Sequence, residues 1–393
     1  MLAMKVDFDF TKILDFIKTK KELANFFPFQ MKSKKCLGID IGTSSIKIVE
    51  LSRQRDRKKL ENYGEMRATS IYKDSFRTFD KNTLLFSNQN VAKAIKAILE
   101  ESKINTRKAI FSIPDFSSFF TNFELPAMTE EELPQAIQYE AKRHIPLPLA
   151  EVTLDWQIIN NNHNGQSNQS QSADKTKIFK ILLVAVPNEI IDQYRNIAQM
   201  AGLELFALEA EVFGLLRSSI QINKDPIALV DIGAQTSTCS IVDRNVLKNS
   251  HSFDLSGNKL TEIISKSLSV DYETADKLKE KNGLLFGQLV GLDQERQIRD
   301  ILLPFIDAIL EEVEKICEYF YKVEKRAVKK VILSGTSALL PGLEEYCRDY
   351  LKKEIEIANP FYNIYYPPIL EKSIKRMSPA YAIAVGMALR GLD

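Results

Sequence analysis

Short apolar runs that end in small polar turns form the main pattern of the chain. Residues 38–50 read G-I-D-I-G-T-S-S-I-K-I-V-E, where an apolar run meets a polar turn and apolar positions then alternate with polar ones. This alternation predicts a strand, a tight turn and a second strand. Residues 229–242 read L-V-D-I-G-A-Q-T-S-T-C-S-I-V and predict the same hairpin. One such motif is also typical of an ordinary hairpin, but two of them indicate two related halves.

Each hairpin places an aspartate near the end of its first strand, two residues before the glycine of the turn. Asp40 and Asp231 could hold the water shell of a Mg²⁺ ion, which usually keeps several waters. Backbone N–H groups of such turns can point at phosphate oxygens, and Lys47 could add a positive charge. The candidate phosphate-binding residues are Gly42, Thr43, Ser44 and Ser45 in the first turn and Gly233, Ala234, Gln235 and Thr236 in the second.

The remaining pattern predicts strands interleaved with helices. Apolar positions at helical spacing predict helices at 91–99, 189–200 and 296–321, and small residues predict another at 379–389. Thr129 and Glu132 have the spacing of a capping box and predict that a helix follows as far as Ile145. Residues 331–343 read V-I-L-S-G-T-S-A-L-L-P-G-L and predict a strand whose glycine-centred end could pass close to a nucleobase or ribose.

Composition narrows the class of protein. With 393 residues, 45% hydrophobic and 27% charged, the chain can hold more than one domain and is typical of a globular protein. The net charge of +1 gives no overall attraction to nucleic acid. Scattered cysteines and histidines disfavour a disulfide framework or a zinc site and fit a reducing cytosol. We expect no signal peptide, no membrane span and neither a P-loop nor a Rossmann glycine motif.

The two D-I-G hairpins and the S-G-T-S loop together resemble the nucleotide-binding motifs of the actin-like ATPase superfamily. Within it, the chain resembles the PilM family of type IV pilus assembly proteins, in the FtsA-like branch. The resemblance covers roughly residues 34–393 and is carried by four segments: I-D-I-G-T-S-S-I-K-I-V-E-L, E-A-K-R-H-I-P-L, D-I-G-A-Q-T-S-T and S-G-T-S-A-L-L-P-G-L.

This resemblance implies an α/β, actin-like ATPase fold, in which two related halves surround a nucleotide cleft. An FtsA/PilM-type subdomain would be inserted in the first half. The implied boundaries are an N-terminal extension at 1–33, a first half at 34–225 with the insertion at about 108–200, a second half at 226–378, and a connecting helix at 379–393 that packs back on the first half. The extension could be an amphipathic membrane or partner segment, but its interspersed acids favour a packed extension.

The resemblance further implies that the cleft binds ATP and Mg²⁺. Glu211 would open the helix that connects the halves, and is the candidate general base or water-orienting group. The alternative is an acid stabilised by the helix dipole at the start of that helix. Gly257 matches the turn and helix start that follow the second phosphate loop.

Two further sites are implied on the adenosine side. Asp276 and Lys279 match the family motif A-E-x-x-K, whose acid and base approach the ribose and base, although Asp stands where the family has Glu. The alternative is a surface ion pair between residues three apart on a helix. Gly335 lies where the family commonly has consecutive glycines, and the side chains of Thr336 and Ser337 would narrow the space beside a purine.

In function, the resemblance implies a cytoplasmic ATP-binding scaffold of the type IV pilus, or of the related type II secretion system, at the inner membrane. Its partner would be the cytoplasmic tail of a PilN-like membrane protein, with pilus motor ATPases and self-association as further candidates. Segments containing Pro114, Tyr139, Ile145 and Leu147 could line the groove for that tail. The alternatives are a cell-division or filament-forming ATPase of the FtsA type, and a slow ATP hydrolase or kinase of the same superfamily.

Overall fold

Strands interleaved with helices build the part of the chain that the computed structural model describes. These are residues 35–392 without 43, 56, 69–78, 81–82, 85–86, 127, 130, 160–177, 222–223 and 286–292. The predicted N-terminal extension and the Asn/Gln-rich segment 160–176 therefore lie outside the described residues, as does Thr43.

The elements up to residue 219 comprise, in order, β1 (Lys35–Ile41), β2 (Ser45–Gln54), β3 (Arg57–Arg67), β4 (Phe79–Asp80), β5 (Thr83–Leu84), α1 (Asn88–Glu101), β6 (Lys108–Ile113), β7 (Phe119–Leu125), α2 (Leu133–His144), β8 (Val152–Ile158), β9 (Phe179–Pro187), α3 (Asn188–Ala201), β10 (Glu204–Ala210) and α4 (Glu211–Ser219). Those that follow are β11 (Ile227–Ile232), β12 (Ser237–Asp243), β13 (Val246–Phe253), α5 (Gly257–Leu268), α6 (Tyr272–Asn282), α7 (Asp293–Glu324), β14 (Lys330–Ser334), α8 (Leu343–Leu351), β15 (Glu354–Ile357), β16 (Ile364–Tyr365) and α9 (Glu371–Arg390). Short 3₁₀ helices lie at Asp115–Ser117, Leu149–Glu151, Thr336–Leu339 and Pro368–Leu370.

Two sheets repeat the same strand arrangement. The first has the order β10-β6-β1-β2-β3-β16 and the second has the order β13-β12-β11-β14-β15. In each, an antiparallel meander (β1-β2-β3 and β11-β12-β13) is extended by two parallel strands (β6 and β10, and β14 and β15). The duplication predicted from the two D-I-G hairpins is therefore present in the topology of both sheets.

The described chain forms two compact units. One contains residues 117–192, and the other contains both large sheets. In the smaller unit, β7-β9-β8 form an antiparallel sheet, and Phe123, Ile137, Ile145 and Ile181 belong to its buried core. The hydrogen bonds predicted for a capping box form: the Thr129 N–H and hydroxyl both donate to Glu132 Oε2 at 2.9 Å, and the Glu132 N–H donates to the Thr129 hydroxyl at 3.3 Å. These bonds lie before the helix, which begins at Leu133 with Glu132 as its N-cap, so Thr129 is not the N-cap that the sequence predicted.

The last helix, α9, begins earlier than its small-residue stripe predicts. It starts at Glu371, and Pro379 lies inside it. The carbonyl oxygen of Pro379 accepts bonds from the Gly335 N–H and the Ser334 hydroxyl, both at 3.1 Å. Its small residues pack against β1 and α4, where a Cβ on Gly386 would lie 2.0 Å from the carbonyl oxygen of Gly214. One helix thus contacts both sheets. No helix in the described ranges is both long enough and apolar enough to cross a membrane.

The Gly214–Gly386 crossing generates a stability prediction. At an exposed helical site, Gly386→Ala would stabilise by up to about 1 kcal/mol through helix propensity. Here the methyl group meets backbone, so we expect overpacking to dominate and to destabilise by about 1–3 kcal/mol in urea unfolding. Lys372→Ala, on an exposed position of the same helix, is the control and should change stability by less than about 0.5 kcal/mol. Equal stability of Gly386→Ala and the wild type would contradict a tight crossing.

Candidate functional site: a buried carboxylate cluster between two hairpins

The two predicted hairpins close through the same backbone hydrogen bond. The Gly42 N–H donates to the Ser45 carbonyl at 3.0 Å, and the Gly233 N–H donates to the Thr236 carbonyl at 3.1 Å. A Cβ on Gly233 would lie 2.7 Å from the Thr236 oxygen, so this turn has no room for a larger residue. Ser44 is also fixed, because its carbonyl accepts from the Ala68 N–H at 2.8 Å.

The aspartates of both hairpins lie in one cluster of acids, in which Asp40 and Asp115 are buried and Asp231 and Glu211 are half-buried. Asp40 and Asp231 are joined there by Glu211, at the start of α4, and by Asp115, two residues after the end of β6. Burial is the main cause that raises the pKa of Asp231 to about 6 and that of Asp115 to about 7. The charge of Asp40 adds to the first shift and the charge of Asp231 adds to the second. The two hairpins therefore meet at one site.

Glu211 lies among the charges of the other three acids. Burial raises its pKa well above the ordinary value, and the charges of Asp40, Asp115 and Asp231 act in the same direction. Its Oε2 atom accepts a bond from the Asp115 N–H at 3.3 Å. A carboxyl group so surrounded favours its protonated form unless a cation enters the cluster.

Lys47, on the second strand of the first hairpin, supplies positive charge near Asp40 and Asp231. It is buried and pairs in register with Asp40 on the neighbouring strand. Its Nζ donates to the Ser45 hydroxyl at 2.7 Å and lies 3.9 Å from Glu65 Oε1. Burial raises the pKa of Asp40, while the Lys47 charge and a 2.8 Å bond from the Ser112 hydroxyl oppose that shift. The cluster nevertheless has more carboxylates than nearby cations.

Two buried polar atoms of this region have no hydrogen-bond partner among the described residues. They are Oδ1 of Asp231 and the hydroxyl of Tyr194, a fully buried side chain on α3. The Tyr194 hydroxyl is near the charges of Glu211 and Asp40, which together with burial raise its pKa. Since buried polar groups normally have partners, these atoms indicate that water or a ligand completes the site. Within the described residues, no three acidic or other ligand side chains converge closely enough to hold a metal directly.

The second hairpin is bonded to the start of α5. The Gly257 N–H donates to the Gly233 carbonyl and the Asn258 N–H to the Ala234 carbonyl, both at 2.9 Å. Gln235 and Thr236 are half-buried in the same turn. The predicted residues of the second phosphate loop and Gly257 are therefore brought together.

Asp276 and Lys279 form an ion pair three residues apart on α6, as one interpretation of the sequence predicted, but the pair is half-buried rather than on the surface. Lys279 Nζ lies 2.7 Å from Asp276 Oδ1 and also donates to the Thr261 hydroxyl at 2.6 Å and the Gly257 carbonyl at 3.2 Å. Burial would raise the pKa of Asp276, but Lys279 and Thr261 hold it below its ordinary value. The pair thus fixes the first turn of α5, and direct contact with a ribose stays a prediction.

The glycine loop after β14 has a conformation that needs glycine. Gly335 has φ of +90°, and a Cβ there would lie 2.5 Å from the Ile232 carbonyl oxygen. Ser337 is buried, with its hydroxyl 2.4 Å from where a Cβ on Gly257 would lie, while Thr336 is exposed. The Ser337 side chain is thus directed at Gly257.

Sequence reasoning missed Asp115 and Tyr194. Asp115 follows a strand end and Pro114, and a carboxylate at the end of a buried strand is a usable signal for a site. Tyr194 lies on an amphipathic helix, where an aromatic residue indicates only core packing.

The duplicated sheets and the cluster where their hairpins meet define the class: this is an actin-like ATPase fold. The MreB5 protein of Spiroplasma citri bound to AMPPNP has this fold, with a TM-score of 0.52, 14% identity, and coverage of 91% of this chain and 96% of that one. A PilM–PilN type IV pilus biogenesis complex aligns with a TM-score of 0.77 and 22% identity, over 92% of this chain and 99% of that one.

A family model described as type IV pilus assembly protein PilM matches residues 38–392, and the chain belongs to that family. The predicted fold class and family are thereby confirmed. The cell division protein FtsA of Bacillus subtilis is 19% identical over 355 residues, 83% of this chain and 79% of that protein. FtsA of Staphylococcus epidermidis is 21% identical over 193 residues, so the match spans 45% of this chain and 42% of that relative.

The raised pKa of Asp115 predicts how stability depends on pH without nucleotide. Between its ordinary pKa of 3.8 and about 7, the unfolded chain releases a proton that the folded chain keeps. The stability of the wild type should therefore fall, relative to Asp115→Asn, as pH rises through this range, with a slope of up to about 1.4 kcal/mol per pH unit. Above pH 7 the difference should level off.

Urea unfolding of both proteins at several pH values between 5 and 8 measures this difference. Asparagine keeps an oxygen that can accept the Val212 N–H, so the comparison isolates the charge. A difference that does not vary with pH would show that Asp115 ionises normally.

Proposed function

We propose that the protein is an ATP·Mg²⁺-binding scaffold for type IV pilus assembly, and that it binds the cytoplasmic tail of a PilN-like inner-membrane protein. The observation that carries the nucleotide part is the convergence of two matched hairpins on a partly buried acidic cluster, in which one buried Asp231 oxygen has no hydrogen-bond partner among the described residues. Membership of the PilM family supports the assembly part.

The donor set fits Mg²⁺. Carboxylate oxygens suit this ion, which prefers to keep several of its waters rather than enter an all-protein cage. Asp40 and Asp231 would hold those waters, consistent with the lack of a direct three-ligand group among the described residues. The bound ion would supply positive charge to the cluster and to the phosphates. Lys47 and the turn N–H groups would then bind phosphate oxygens.

The nucleotide would act as a switch in this scaffold. It can change a binding surface only if it has different affinities for two conformations of the protein. Glu211 would orient a water for slow hydrolysis, which ends the bound state. The main function of the protein would be pilus assembly rather than a metabolic reaction. The protein would lie at the cytoplasmic face of the inner membrane.

For the partner tail, exposed residues of the smaller unit are the proposed contact. Tyr139 is 72% exposed on α2. Its neighbours Ile137 and Ala141 on the same helix belong to the buried core of this unit. Ile145, another residue expected in the groove, is only 6% exposed and packs inside that core. The proposed surface therefore contains Tyr139 and not Ile145.

Asp40→Asn and Asp231→Asn test the nucleotide part. Each variant removes a charge that holds the metal waters, so each should weaken Mg·ATP binding by tenfold or more in calorimetry. In the wild type, Mg·ATP at about 100 times its Kd should stabilise the fold by roughly 2.7 kcal/mol. Asp349→Asn, on an exposed position of α8, should bind like the wild type. Unchanged affinity in both site variants would refute the site.

Tyr139→Ala tests the partner part. An exposed aromatic side chain at an interface often contributes more than about 1 kcal/mol, so we expect at least a fivefold loss of affinity for a synthetic PilN-like tail peptide. Tyr319→Ala, which removes another exposed tyrosine, 61% exposed against 72% for Tyr139, from α7 in the other unit, should bind the peptide normally. Equal affinities of the two variants would exclude this surface.

A further inference from the structure

Asp115 and the first turn of α4 exchange two hydrogen bonds. Asp115 Oδ1 accepts from the Val212 N–H at 3.1 Å, and the Asp115 N–H donates to Glu211 Oε2 at 3.3 Å. Each partner thus offers one backbone N–H and one carboxylate oxygen. This is the bonding pattern of a capping box, but it joins residues that are 96 and 97 positions apart.

The start of α4 needs such a partner from elsewhere in the fold. The first N–H groups of a helix have no partner within the helix. The residue before α4 is Ala210, whose side chain cannot accept a hydrogen bond. Asp115, at the start of its own short 3₁₀ helix, supplies the missing acceptor and is buried there. The link therefore forms only when β6 and α4 are packed together.

This exchange also orients the side chain of Glu211. One carboxylate oxygen is held by a backbone N–H, so the plane of the group and the position of its second oxygen are restricted. The Tyr194 hydroxyl borders the same cluster and has no partner among the described residues. Glu211 is thus held at the edge of a region that has unsatisfied polar groups.

We propose that Asp115 is a positioning residue, which holds Glu211 in the orientation that directs a water at the terminal phosphate of ATP. This inference rests on the proposed function. In the hydrolysis, the water oxygen bonds to the terminal phosphorus, and the bond from that phosphorus to the bridging oxygen breaks. The electron pair leaves on ADP, and the proton of the water passes to the released phosphate.

The test compares single-turnover hydrolysis and Mg·ATP affinity in four proteins: the wild type, Asp115→Ala, Glu211→Gln and the double variant. A small misplacement of a positioned group can lower a rate by about 100-fold, so we expect Asp115→Ala to lose 10- to 100-fold in turnover. Its Mg·ATP affinity should change by less than threefold. The double variant should be no slower than Glu211→Gln, because Asp115 acts through Glu211.

Two variants separate positioning from stability. Asp115→Asn keeps the acceptor for the Val212 N–H and should retain turnover within about threefold. Asp115→Glu keeps the charge but displaces the acceptor by one methylene, so it should lose turnover and can replace Asp115→Ala if that variant does not fold. Glu132→Ala breaks the ordinary capping box with Thr129 in the smaller unit, and should leave turnover unchanged.

Three results would overturn the inference. The first is that Asp115→Ala or Asp115→Glu turns over ATP as fast as the wild type. The second is that adding Asp115→Ala to Glu211→Gln lowers turnover by the same factor as it does in the wild type. The third is wild-type turnover that does not exceed that of Glu211→Gln, although Mg·ATP binds; the proposed scaffold would then survive without this inference. If the wild type does not bind Mg·ATP, the proposed function fails, and the inference fails with it.

Discussion

Several carboxylates held close together, two of them buried and two half-buried, are the constraint on which the rest of this site depends. A buried charge is unfavourable, and like charges beside it make it more so. Asp40, Asp115, Glu211 and Asp231 are nevertheless gathered in one cluster, with Lys47 as a nearby cation. Such an arrangement lowers the stability of the empty protein and raises the gain from an incoming cation. In the proposed function, cation binding would thus be coupled to folding stability through Asp40 and Asp231.

Close backbone contacts keep the two sides of the cluster in place. The last helix packs through Gly386 against Gly214, and its Pro379 carbonyl accepts bonds from the loop that contains Gly335. Because these contacts are made by backbone atoms, they leave little freedom for sliding. A second constraint adds to them: the Glu209 carboxylate is fully buried and lies 2.7 Å from Arg217 and 2.8 Å from Arg390. Through these two ion pairs Glu209, which lies two residues before Glu211, links α4 to α9.

Sequence patterns among neighbouring residues were sufficient to predict most of the strands and helices. Alternation of apolar and polar residues located both hairpins, and the Thr129–Glu132 spacing located the capping box, because strand pleating and helix capping depend on neighbours in the chain. Duplication of the Asp-Ile-Gly motif also indicated two related halves. The start of α9 was placed too late because the prediction followed the small-residue stripe, which covers only the second half of the helix. In the fold, Pro379 lies inside a longer helix.

By itself, then, the sequence determined the two acidic hairpins, the fold class and the family, since each depends on short contiguous motifs. Only the tertiary structure decided that Asp115 caps α4, that the Tyr194 hydroxyl faces the cluster, and that Ser337 is directed at Gly257. These relations join residues that are distant in the chain, and no local spacing encodes them. They arise when sheets and helices pack: the start of α4, which has no side-chain cap of its own, takes its acceptor from Asp115 beyond the end of β6.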